Sequence, residues 1–171
     1  MFKIYDNVLD EQLLEYLNLT IKHLKWDAGH KSNDEDRTSF FSTFPTDTVF
    51  YNYLLEIFKE CEPECKNKLV HLKTFYFNLH PYGNGGEWHL DNEHPNSITF
   101  LNYPQKWNPE WKGDTLFKSG DKIEYKQNRL GIFYGKEIHK ADVHYNPDNR
   151  YTLAFKTFVG DSNRWQITHE N

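Results

Sequence analysis

The alternation of apolar and polar positions divides the chain into a helical first third and a β-rich remainder. Over residues 11–25, Leu13, Leu14, Leu17, Ile21 and Leu24 recur at helical spacing and predict one amphipathic helix. Asp10 fits its N-cap, and Leu9 and Leu14 are placed to staple its first turn. Pro45 and Thr46 mark the start of a second helix, whose broad apolar face (Val49, Phe50, Tyr53, Leu54, Ile57, Phe58) runs up to Cys61. Residues 3–9 read as a short strand or edge segment. Residues 26–39 are polar and charged, which predicts a surface loop, either a flap over a site or a plain solvated connection.

After Pro63 no long helical period returns. Short β-prone stretches succeed one another over residues 69–79, 87–91, 97–102, 115–118, 122–125, 131–134, 139–145 and 151–159, separated by turn residues such as Pro81-Tyr82-Gly83 and Asn146-Pro147-Asp148-Asn149. Two helices followed by about eight short strands predict an α+β chain, a jelly roll or related double-sheet barrel with two supporting N-terminal helices. The 171 residues fit one domain, 1–171, without repeat or linker.

Composition narrows the functional classes. A net charge of -5 argues against a polyanionic partner such as nucleic acid, which needs a basic face. Mean hydropathy is -0.86 and no apolar run approaches a membrane span or an export signal, so a soluble cytoplasmic protein is expected. Cys61 and Cys65 are the only cysteines and read as unpaired reduced thiols.

The candidate chemistry starts at residues 75–91, FYFNLHPYGNGGEWHLD, a strand, a glycine-rich turn and then His89-x-Asp91. In an extended segment residues two apart face the same way, so an imidazole and a carboxylate would meet at one point with Trp88 and Leu90 facing away. That is two-thirds of a 2-His-1-carboxylate metal site. For the second imidazole, His139 at a strand start is favoured over His94 beside Pro95 and His169 in the tail. His144 competes. A 139–159 hairpin with Pro147-Asp148 as its loop would put His139, Arg150 and Thr152 on one face, whereas a one-residue bulge would bring His144 there instead. An arginine on an inner face needs an anion, which a bound carboxylate would supply, helped by the Thr152 hydroxyl; otherwise Arg150 closes the turn and reaches solvent.

Taken together, His89-x-Asp91, His139 and Arg150 before the strand YTLAFKTF resemble the Fe(II)- and 2-oxoglutarate-dependent dioxygenases. Leu101-Asn102, Trp107, Glu110-Trp111 and Gly113-Asp114-Thr115-Leu116-Phe117 are similar to a segment of the prolyl 4-hydroxylase-like branch, as is the opening IYDNVLDEQ. The resemblance implies a double-stranded β-helix with Fe(II) on His89, Asp91 and His139. It also implies 2-oxoglutarate chelating that iron, its distal carboxylate on Arg150 and Thr152. Asn78, His80, Thr99 and Phe100 match positions that line the cosubstrate pocket, with His80 where relatives often carry tyrosine. Many prolyl 4-hydroxylases use lysine where this chain has Arg150. The implied reaction uses O2, releases succinate and CO2 and hydroxylates a C–H bond of a peptidyl proline, another protein residue or a small metabolite, with ascorbate as a further expected cofactor. Tyr76, Trp88, Trp107, Trp111 and Tyr134 either shape the substrate mouth or pack the core and rim. The alternative of another class is a non-catalytic barrel that keeps a metal or carboxylate ligand.

Overall fold

Asp10 opens the first helix by accepting a hydrogen bond from the Leu13 N–H at 2.8 Å. This computed structural model describes residues 2–31, 40–66 and 68–160. Its elements run β1 (Phe2–Asp6), α1 (Glu11–His23), β2 (Asp27–His30), β3 (Phe40–Thr43), α2 (Thr48–Cys61) and a short α3 (Pro63–Lys66). Then follow β4 (Leu69–His80), β5 (Ser97–Tyr103), β6 (Thr115–Phe117), β7 (Lys122–Ile123), β8 (Arg129–Tyr134), β9 (His139–Ala141) and β10 (Arg150–Gly160).

Seven strands form one antiparallel sheet in the order β1-β8-β5-β10-β4-β3-β2, and a smaller sheet has the order β7-β6-β9. Alternation along the large sheet serves two layers at once. On one face Phe77, Phe100, Leu153 and Phe155 pack with Leu17 and Ile21 of α1 and Leu54 and Phe58 of α2. On the other, Leu101, Phe133 and Ala154 join Phe117 and Ile123 of the small sheet in a second cluster. Between the sheets the second cluster gives way to a cavity of about 250 Å³.

The predicted loop over 26–39 is corrected in part. Asp27–His30 is a strand paired with β3, Asp27 opposite Ser42 and Ala28 opposite Phe41; Trp26 and Lys31 beside it belong to no strand or helix, and 32–39 lies outside the described residues. A strand at the sheet's end meets solvent, so its polar composition hid it. The predicted strand over 87–91 is also absent; only His89 bridges to His139. The 139–159 hairpin does not form. β9 pairs with β6, His139 opposite Phe117, whereas β10 lies between β4 and β5, Arg150 opposite His80 and Leu153 opposite both Phe77 and Asn102. Both edges of β10 are therefore occupied, and the chain from Ala141 to Arg150 crosses between sheets.

Candidate active site

His89 and His139 face each other across reciprocal backbone hydrogen bonds, His89 N–H to His139 C=O at 3.0 Å and the reverse at 2.9 Å. The Asp91 N–H donates to the Gly135 C=O at 2.8 Å, so residues 89–91 are tied to the approach to β9 without being a strand themselves. Gly85 lies so near β9 that a Cβ there would meet the Ala141 carbonyl oxygen at 2.9 Å and the Val143 nitrogen at 3.0 Å. A side chain at this position would push the turn off β9.

This pairing fixes the tautomers. The Nδ1–H of His89 donates to the Glu87 C=O at 2.9 Å and that of His139 to the Glu137 C=O at 2.8 Å, which leaves both Nε2 atoms with a lone pair facing inward. Those Nε2 atoms stand 3.6 Å and 3.8 Å from the two oxygens of Asp91. One ligand atom from each of the three residues lies within 4.8 Å of the others. Asp91 Oδ2 accepts from Thr99 Oγ1 at 2.6 Å and pairs with the Lys156 ammonium. Burial alone would raise the Asp91 carboxyl, but Lys156, His139 and the two hydrogen bonds hold it below the usual carboxylate range. Burial pushes His139 down to about 4, so its imidazole is neutral at neutral pH. The donor set of two imidazoles and one ionised carboxylate, with an open side toward the cavity, fits a divalent ion that keeps free coordination positions.

Arg150 lies in the same cavity, 2% exposed. Its Nε donates to the Gly113 C=O at 2.7 Å and its guanidinium lies 5.3 Å from the Tyr125 ring centre. Gly113 has φ +85°, and a Cβ there would strike His144 and Trp107 at 2.9 and 3.0 Å, which explains a glycine at the anchor. No carboxylate among the described residues pairs with this guanidinium. Thr152, Asn78 and His80 line the same end, and Asn78 Oδ1 is buried without a hydrogen-bond partner. Burial, followed by the neighbouring Arg150 charge, drives His80 down to about 3, so it stays neutral beside the guanidinium.

No family profile matches the chain, and no curated protein sequence matches it. Among solved structures, the chain is similar to a prolyl hydroxylase from Trichoplax adhaerens in complex with a hypoxia inducible factor peptide, at TM-score 0.67 and 18% identity over 92% of this chain and 83% of that one. It is similar also to the viral collagen prolyl hydroxylase of Paramecium Bursaria Chlorella virus-1, determined as a 2-oxoglutarate complex (TM-score 0.65, 14% identity, 92% and 96% covered). The fold is a double-stranded β-helix. HygX from Streptomyces hygroscopicus, with nickel, 2-oxoglutarate and hygromycin B bound, shares this double-stranded β-helix at TM-score 0.72 and 10% identity, with 96% and 85% covered.

Within the double-stranded β-helix the sequence-predicted residues separate. His89, Asp91, His139, Arg150, Thr152, His80, Thr99, Asn78 and Tyr76 face one cavity. Phe100 does not; it is fully buried on the helix side of β5, one position out of phase with Thr99. His144 is buried, and its Nε2–H donates to the His80 C=O at 2.8 Å, tying the crossing segment to the end of β4 away from the two other imidazoles. Trp107 stacks on Tyr125 with centroids 4.0 Å apart and Trp111 meets Trp107 edge-on, while Trp88 lies between Lys118 and Lys140; none of the three lines the cavity, nor does Tyr134. His94 contacts Phe158, and His169 is outside the described residues. Sequence reading passed over Lys156, although the two-residue period Arg150, Thr152, Ala154, Lys156 put it on the cavity face. Among the described residues no helix is long and apolar enough to cross a membrane.

Proposed function

We propose that the chain, as one domain over 1–171, is an Fe(II)- and 2-oxoglutarate-dependent dioxygenase that hydroxylates a C–H bond. The observation that carries this reading is a buried guanidinium without a carboxylate partner among the described residues, in the same cavity as the His89, Asp91 and His139 ligand atoms. His89, Asp91 and His139 would hold the metal, and Arg150 with Thr152 the distal carboxylate of the keto acid, Asn78, His80 and Thr99 lining the space between. When bound, Fe(II), 2-oxoglutarate and O2 would supply the oxidative decarboxylation that gives succinate, CO2 and a hydroxylated product. The protein's own contribution is placement. Backbone carbonyls hold the two imidazoles in the ligating tautomer, Thr99 orients the carboxylate, and the Gly113 carbonyl aims the guanidinium. The solved structures of similar fold include enzymes acting on a peptide and one holding an aminoglycoside, so a peptidyl residue and a small metabolite both belong to the substrate range of this reading. Cys61 and Cys65, both thiols, suit a cytoplasmic setting.

An anaerobic titration tests the assignment. Wild type with Fe(II) and 2-oxoglutarate should develop the metal-to-ligand charge-transfer band of a chelated keto acid and, in air, release succinate. Arg150→Met should keep Fe(II) but weaken the keto acid roughly a hundredfold or more, the loss of a charged bidentate contact, whereas His139→Ala should lose the metal. A wild-type protein that binds neither Fe(II) nor 2-oxoglutarate would leave a non-catalytic barrel as the better reading.

A further inference from the structure

The cavity face of β10 reads Arg150, Thr152, Ala154, Lys156, a cation at each end with Cα atoms roughly 20 Å apart at about 3.3 Å per residue. A protein of net charge -5 thus lines its cavity with Arg150, Lys156 and, at the rim, Lys31 and Lys73, against Asp91 as the one carboxylate among the described lining residues. Lys156 is 13% exposed, lines the cavity and is held between Asp91 and the Tyr76 hydroxyl, two partners for an ammonium that carries three donors. Its strand neighbours Thr74 and Thr99 also face that space.

Once the proposed ligands are in place, the charges do not cancel. The divalent ion, Arg150 and Lys156 contribute four positive charges; Asp91 and the two carboxylates of the keto acid contribute three negative ones. One positive charge is left, and Lys156 is the cation six residues along β10 from the proposed keto-acid anchor Arg150. An uncompensated buried charge is costly, and a substrate anion would remove that cost.

We propose, resting on the oxygenase reading, that the substrate carries a carboxylate and that Lys156 is the residue that selects it, with Lys73 and Lys31 drawing the anion in at the rim. A peptidyl proline, which is uncharged, lacks that feature. A free small acid and an Asp or Glu side chain in a peptide both have it.

The test separates this from the oxygenase reading. Protein loaded anaerobically with Fe(II) and 2-oxoglutarate, and in parallel with Zn(II) and 2-oxoglutarate, is titrated by calorimetry with small carboxylic acids, each paired with its primary amide, and with short acidic peptides and their Asn/Gln counterparts. Wild type should prefer the acid of at least one pair roughly tenfold or more, the worth of one charged hydrogen bond. Lys156→Met should erase that preference and Lys156→Arg restore part of it. The charge-transfer band in wild type and Lys156→Arg shows that the fold and the keto acid are intact, and because Lys156 also pairs with Asp91, Lys156→Met is titrated at metal and 2-oxoglutarate concentrations that restore its own band. Acids and amides binding alike in wild type, no acid binding at all, or an unchanged preference in Lys156→Met would overturn the proposal. Failure of the band in wild type would instead strike the oxygenase reading, and the Zn(II) arm would still decide the role of Lys156.

Discussion

His80 pairs with Arg150 across β4 and β10, and its neutrality has a measurable cost in acid. Burial and the adjacent guanidinium hold it at about 3, well under the ordinary histidine value of 6.5. Between those two pH values the unfolded chain takes up a proton that the folded one refuses, so stability from this group is full above about 6.5 and declines as pH falls. The slope is at most about 1.4 kcal/mol per pH unit. Urea midpoints at pH 7 and pH 5 should therefore drop less in His80→Gln than in wild type; parallel drops would disprove it. A second residue-scale effect concerns Thr99, whose hydroxyl orients Asp91 at 2.6 Å. Thr99→Val keeps the shape and removes the donor, and chelator-competition titrations should show roughly tenfold weaker Fe(II) binding or more. Side-chain identities of this kind were what the sequence disclosed most readily. His89-x-Asp91, His139 and Arg150 are chemically distinctive, whereas Lys156 looks like any solvent-facing lysine until the parity of its strand is followed from Arg150.

Which elements meet was harder to read. Residues 139–145 and 151–159 have β-prone composition and a turn between them, so local rules favour a hairpin. The competing long-range ladders win because β4 and β5 offer β10 eleven and six paired positions on its two edges. His139 and Arg150 still share the cavity, although they reach it from opposite sheets, so their nearness was expected from a register that does not exist. Likewise 87–91 works without being a strand, because backbone bonds to His139 and Gly135 do the positioning. The turn at Gly85 is where that dependence can be tested. Gly85→Ala has no soft side chain to displace, only the backbone of 141–143, and overpacking of this kind costs about 1–3 kcal/mol. The variant should also lose metal affinity, since the shift moves His89 relative to His139. Metal titration of a folded Gly85→Ala protein with unaltered affinity would show that the turn does not govern the site.

At the scale of the whole molecule, the larger hydrophobic cluster and the candidate site sit on opposite faces of the same strands. Phe155 lies on the helix side of β10 between Ala154 and Lys156, which face the other way, and it meets the fully buried Phe58 of α2 edge-on with centroids 5.7 Å apart. The helical layer therefore supplies the larger apolar cluster, while the sheet's other face carries a smaller one and, beside it, the polar groups of the cavity, among them Arg150, whose burial opposes its charge. Phe58→Ala removes a ring from the first layer without touching the second. It should cost about 3–5 kcal/mol, a large share of the roughly 5–15 kcal/mol of a domain this size. The urea midpoint should fall with little change in slope, because the folded and unfolded states expose nearly the same surfaces as before. At temperatures where the variant remains folded, its 2-oxoglutarate affinity should stay within about threefold of wild type, since a sheet with ladders on both edges of β10 resists transmitting a void on one face to the side chains on the other. If affinity instead falls in step with stability, the helices do more than support the sheet: they set the spacing of the cavity, and the two faces cannot be treated as separate.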